Sequence, residues 1–216
     1  TINADTDADD NDGTFALADN VAIDFDNNAF VITANDLDIS TTASNEASIT
    51  TSAASSITDS DGTGIGLGDT TVTDGLNISG DELETITVTG NSLTLSSTRP
   101  AAGTAIFVDN ISADNSDNIG SVILEQNGFA GVANLGVRFV NDASSFNVLT
   151  VNAQDGIFVG ANITTDSGNL ALDGDSDNGG AGPTTSDQIL FGDDITLTAT
   201  SGGSITLDAT GDATGF

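Results

Sequence analysis

The chain has 216 residues, of which 33 are acidic and only Arg99 and Arg138 are cationic; with no His, the formal net charge is −31. That balance excludes nucleic acid and anionic membrane surfaces as partners, since both are held by clustered cationic side chains. There is no Cys, which removes disulfides, thiolate metal sites and a Cys nucleophile, and no stretch approaches the roughly 18 apolar residues of a membrane helix, so no membrane insertion is expected.

Like charge on this scale repels itself, so a saline or calcium-containing environment is expected, and with it a secreted, extracellular or cell-surface location. Thr1 is preceded by no initiator Met and no signal peptide, which suggests a mature product, a fragment or the ordered part of something larger. Hydrophobic residues make up 37%, mostly aliphatic, with ten Phe as the only aromatics. Without a composition break, this fits one elongated domain over 1–216 in which each layer needs only a few inward side chains.

Helix periodicity is almost absent, and period-two alternation recurs instead. In chain order the apolar pairs are Leu76-x-Ile78, Ile86-x-Val88, Leu93-x-Leu95, Val137-x-Phe139, Leu149-x-Val151, Ile157-x-Val159, Leu170-x-Leu172, Ile189-x-Phe191, Ile195-x-Leu197 and Ile205-x-Leu207. Each predicts a very short strand with two apolar side chains on one face and Thr, Ser, Asn or Asp on the other. Turn formers punctuate the strands at Gly90-Asn91, Asp155-Gly156, Ser167-Gly168-Asn169 and Ser201-Gly202-Gly203.

Such strands suit a solenoid or a sandwich. The absence of Trp and Tyr, the near absence of Pro, and the 21-residue repeat of Leu149/Val151 as Leu170/Leu172 favour a solenoid coil with about three short faces. Coils of ~20–24 residues would give roughly nine or ten rungs and a rod about 45 Å long. The predicted fold class is therefore all-β, a parallel β-helix of short strands. A calcium-binding β-sandwich array is the alternative. A longer relation also appears: residues 1–48 align with 169–216 at an offset of 168, placing Ile2 on Leu170 and Leu37 on Ile205.

The run Leu149-Thr-Val-Asn-Ala-Gln-Asp-Gly-Ile-Phe-Val-Gly-Ala-Asn-Ile-Thr-Thr-Asp-Ser-Gly-Asn-Leu-Ala-Leu-Asp-Gly-Asp resembles the coils of filamentous-haemagglutinin-type proteins. The segments Ile32-Thr-Ala-Asn-Asp-Leu-Asp-Ile-Ser and Ile205-Thr-Leu-Asp-Ala-Thr share that cadence. The resemblance is clearest over 1–42 and 147–210. It implies a right-handed parallel β-helix in a large bacterial surface or secreted protein exported by a two-partner or autotransporter route.

The sharpest local feature is Asp5-x-Asp7-x-Asp9, which recurs as Asp173-x-Asp175-x-Asp177. Carboxylates at i, i+2 and i+4 suit a hard cation that takes six to eight oxygens, which points to Ca2+ at these six residues. Asn11, Asp12 and Asn178 would add ligands, and a solvated acidic turn is the competing reading. Asp59-Ser-Asp61-Gly62 and Asp114-Asn-Ser-Asp117 are shorter acidic turns of the same kind. Asn77, Asn110 and Asn162 open N-glycosylation sequons.

Catalysis fails on inventory. A serine triad needs a base, and neither His nor Lys is present. Zinc hydrolysis normally needs His or Cys. Paired carboxylates could serve a polysaccharide-active enzyme, but sugar-stacking Trp and Tyr are missing, so the chain is not expected to be an enzyme. Arg99 and Arg138 are expected to offset local negative charge, and the Phe residues, Phe129 among them, to fill coils and corners. Thr-x-Thr runs such as Thr196/Thr198/Thr200 are preferred strand residues on a solvated face.

The function expected is a structural solenoid segment of a bacterial surface fibre or adhesin. Its partners would be a second copy or continuing chain at each end, since an unpaired strand edge invites continuation. Alternatives are a carbohydrate- or receptor-binding adhesin module or a surface-layer component.

Overall fold

The structure is a computed structural model. It describes residues 1–6, 13–42, 45–97, 106–128, 136–177 and 187–209. Short strands alternate with turns because the apolar residues recur every second position and Gly, Asn or Asp stands at most of the bends.

The chain climbs coil by coil. The first coil holds β1 (Ile2–Asn3), β2 (Thr14–Leu17) and β3 (Ala22–Asp24), and the second β4 (Val31–Ala34), β5 (Asp36–Ile39) and β6 (Ser48–Thr51). The third runs through β7 (Ser55–Asp59), β8 (Ile65–Gly68), β9 (Leu76–Ile78) and the one-turn helix α1 (Gly80–Glu84). The fourth has β10 (Ile86–Ser97), β11 (Ile106–Asp109) and α2 (Ala113–Ser116). Then follow β12 (Ile119–Gln126), β13 (Val137–Phe139) and β14 (Ser144–Phe146), and after them β15 (Leu149–Ala153), β16 (Ile157–Val159) and β17 (Ile163–Thr165). The last strands are β18 (Leu170–Asp173), β19 (Ile189–Phe191), β20 (Leu197–Ala199) and β21 (Ile205–Asp208).

The main sheet stacks β1-β4-β7-β10-β12-β15-β18-β21, with β3 and β6 flanking the start of β10. A second face orders β9-β8-β11-β13-β16-β19, a third β14-β17-β20, and β2 pairs with β5. Every pairing among the described strands is parallel. The fold is thus a parallel β-helix, and the sandwich alternative is overturned, because a sandwich is built from antiparallel strands.

One inward column shows how the coils lock. Ile2, Ile32, Ile57, Leu95, Leu124, Val151, Leu172 and Leu207 stack in register along the main sheet. From Ile32 to Leu172 each is essentially without solvent exposure, and burying such a side chain is worth ~1.5–3 kcal/mol. The 21-residue coil read from Leu149/Val151 and Leu170/Leu172 is in register as expected.

Elsewhere the coil is longer, reaching 38 residues between Ile57 and Leu95. The main sheet consequently has eight rungs instead of nine or ten, and at ~4.8 Å per step it spans about 34 Å. Among the described residues the added length lies in the corners, in α1 and α2, and in the 12-residue β10. The column containing Ile2 contains Leu172, not Leu170, so in space the chain's ends are related two residues away from the sequence offset of 168.

Two one-turn helices depart from the all-strand expectation. Each begins at a capping box, Ser79 with Glu82 and Ser112 with Asn115. In such a box the side chains at both positions satisfy backbone donors that a short helix cannot. Asp114 and Asp117, expected as an acidic turn, belong to the second of these helices and its cap.

Candidate functional site: an acidic corner and two bare ends

The corner where the chain leaves the main sheet for the second face collects the buried polar residues. Asp59 is paired in register with Ala34, and at this corner Asp5, Asn35, Asp59, Ser97, Gln126, Asp155 and Asp175 are all buried. A buried polar group needs a partner, and the corner supplies it unevenly. Gln126 satisfies Asp155 on the next coil through paired bonds of 2.8 and 2.9 Å. Asp59 Oδ2 accepts the Gly64 N–H at 2.8 Å and the Ser97 hydroxyl at 3.0 Å.

Burial pushes the Asp59 carboxyl above its usual range, against the pull of the Gly64 N–H, the Ser97 hydroxyl and the Asp61 and Thr63 N–H groups. Asp175 is also raised, by burial first and then by the charges of Asp187, Asp177 and Asp173. A side-chain hydrogen bond with Asp177 adds to the same shift.

Of the six predicted metal ligands, Asp7 and Asp9 lie outside the described residues, as do Asn11, Asp12 and Asn178. The other four occupy the corner, at opposite ends of the rod. Asp5 and Asp175 sit at equivalent positions, three residues past the column members Ile2 and Leu172. The backbone N–H of each donates at 3.1 Å to the side chain two residues earlier, Asn3 and Asp173 respectively. Among the described residues, no group of three or more acidic side chains is arranged to hold a metal ion.

Arg138, expected to offset local negative charge, lies on β13. It is the one cation among the described side chains, and no carboxylate there lies in ion-pair contact with it. Its guanidinium instead stacks on Phe158, 4.8 Å from the ring centroid, and its Nε is buried without an acceptor. Register explains the contact: Phe107, Arg138 and Phe158 are consecutive on the second face and alternate with the inward residues Val137, Phe139, Ile157 and Val159. Phe139 and Phe146 fill the core as expected, while Phe107 and Phe158 face outward. Arg99, Pro100 and Phe129 lie outside the described residues.

A groove of about 410 Å³ opens where β5 meets β9, lined by Asp36, Asp38, Asn77 and Glu82 among others. Two of its acids have structural tasks: Asp36 accepts from the Asn77 N–H at 3.4 Å, and Glu82 accepts from the Ser79 N–H and hydroxyl, both at 2.8 Å, and from Ile39 N–H at 3.2 Å. The Asn77 side-chain amide is committed to Val72 and Gly75 within its own turn, which holds that sequon's acceptor in the fold.

The rod's ends differ from its middle. Ile205 and Leu207 continue the inward columns of Leu170 and Leu172, yet they are 43% and 49% exposed, against 0% and 1% one coil earlier. Phe191, paired with the fully buried Val159, is 45% exposed. At the other end Ile2, Phe15 and Ile23 are only partly buried. No helix among the described residues is long and apolar enough to cross a membrane.

Comparison with known proteins finds no matching family model, no matching curated protein and no matching solved structure.

Proposed function

We propose that the chain is a structural segment of an extracellular β-solenoid, part of a bacterial surface fibre or adhesin of the filamentous-haemagglutinin type, and that it performs no catalysis. The observation that carries this reading is the exposed apolar strand β21, the last rung among the described residues. The inward column runs through seven rungs and emerges at Leu207 with half its surface in water. An apolar strand edge of this kind is a template for another rung, supplied by continuing chain or by the β1 edge of a second copy.

Net charge sets the conditions. At −31, copies repel unless salt or divalent ions screen them. Calcium at the Asp5-Asp7-Asp9 and Asp173-Asp175-Asp177 turns fits that need, and the raised Asp175 carboxyl, crowded by Asp187, Asp177 and Asp173, supports it at the second turn. Sedimentation velocity of the purified chain across a concentration series, with calcium and with chelator, tests the stacking. End-to-end association with calcium is expected; a monomer at every concentration with calcium present would sink it.

A second reading, a carbohydrate- or receptor-binding adhesin module, draws on the outward Phe107-Arg138-Phe158 stripe, where a cation and aromatic faces lie together without an ion pair. A glycan array probed with wild type and Arg138→Gln separates it: hits lost in the variant favour binding there, and an empty array removes it.

A further inference from the structure

The turn that joins β7 to β8 collects oxygen atoms and offers them few donors. Asp59 is 1% exposed and takes an inward position that the preceding coil fills with Ala34. Its Oδ2 is anchored by Gly64 and Ser97, which fixes the carboxylate plane and leaves Oδ1 buried with no hydrogen-bond partner. Ser60 Oγ and Thr63 Oγ1 are buried in the same turn, also without partners, and the Asp61 carboxylate oxygens are buried beside them. The bend is made by Gly62 and Gly64, both in the left-handed region at φ 63° and 116°.

Three unpartnered buried oxygens in one five-residue turn run against the rule that buried polar atoms are satisfied. The same corner shows the alternative built from protein alone, where the Gln126 amide serves Asp155. The Asp59 turn has no such amide. The Asp61 and Thr63 N–H groups also act on the Asp59 carboxylate, yet its Oδ1 makes no hydrogen bond; carboxylate and hydroxyl oxygens left so suit a hard cation, and water completes the six to eight positions that calcium takes. Only two carboxylates are needed, so the site does not require three acidic side chains to converge.

We propose that this turn binds one Ca2+ through Asp59 Oδ1, the Ser60 and Thr63 hydroxyls and the Asp61 carboxylate, closing the corner between the main sheet and the second face. This site is separate from the two Asp-x-Asp-x-Asp turns and does not depend on whether the rods stack.

The test is calcium titration of the full chain at pH 7, followed by calorimetry and thermal unfolding, with magnesium and ionic-strength-matched sodium as controls. Asp59→Asn keeps the shape and removes the charge; Thr63→Val keeps the shape and removes one ligand. All are measured in wild-type and Asp175→Asn backgrounds at concentrations below association. Wild type is expected to gain thermal stability with calcium beyond both controls. Asp59→Asn should abolish one bound equivalent in either background, and Thr63→Val should weaken that equivalent by roughly tenfold or more. Should Asp59→Asn fail to fold, Thr63→Val alone decides. The proposal is overturned if Thr63→Val binds as wild type does, or if Asp59→Asn retains every equivalent. It is also overturned if wild type gains nothing over sodium while Asp59→Asn is the more stable protein in chelator, which would mark Asp59 as a protonated carboxyl.

Discussion

Gln126 and Asp155 clasp each other across neighbouring coils: the Gln126 amide donates to Asp155 Oδ2 at 2.8 Å, and the Asp155 backbone N–H donates to Gln126 Oε1 at 2.9 Å. Both residues are buried, so the pair supplies hydrogen bonds that water cannot reach to provide. Gln126→Leu removes both bonds while keeping the volume. It should cost about 1–3 kcal/mol in urea unfolding, since a buried acceptor loses its donor.

Inner and outer rungs should respond differently to the same truncation. Leu172→Ala in the covered coil is expected to cost about 2–5 kcal/mol through lost burial and the cavity left behind. Leu207→Ala, half exposed in the isolated chain, should cost well under that by denaturant unfolding, yet weaken end-to-end association. Equal unfolding costs for the two would mean that the last rung is covered from within the chain.

Gly68 is a position where no side chain fits. Its φ is +89°, and an added Cβ would stand 1.9 Å from the Asp109 carbonyl oxygen on the stacked strand. That carbonyl also accepts the Asp69 N–H at 3.0 Å, so it is not free to move away. Gly68→Ala should therefore separate β8 from β11 and be destabilising by more than the ~1 kcal/mol of an ordinary Gly-to-Ala change at positive φ. Thermal unfolding of the variant measures it.

Asp175 gives a pH dependence with a definite sign. Its folded carboxyl is raised, by burial and by Asp187, Asp177 and Asp173. The folded state therefore binds the proton more tightly than the unfolded chain does, and ionisation opposes folding. In chelator, stability from this group is present below the ordinary carboxylate range and is lost as pH rises through the folded value. Asp175→Asn should be more stable than wild type at neutral pH and should flatten that part of the profile. Added calcium should close the gap if the turn binds it.

Much of this architecture is legible because strand register obeys a strict rule. Pairs such as Leu149/Val151 and Ile157/Val159 alternate at period two, and only one face of a coil can be inside. Coil length was misjudged because the one clear repeat, Val151 to Leu172, crosses the tightest corners. The corner between β7 and β8 and the excursion from β8 to β9 add residues without changing the column, and no periodicity marks such insertions. The two helices left a signal in Ser79-Gly-Asp-Glu82, but a single turn is too short to show a helical period. At the acidic turns, residue type is readable and register is not: Asp5 matches Asp175 in space, while the sequence alignment set it against Asp173. Arg138 was read for its charge alone, and strand register adds its stacking on Phe158.

Cryo-electron microscopy of the protein assembled at high concentration with calcium tests the central claim most directly. The expected image is a continuous rod in which rungs at ~4.8 Å run across each junction, with β21 of one copy beside β1 of the next. Isolated particles about 34 Å long, seven steps of that spacing, with both ends bare, would contradict it.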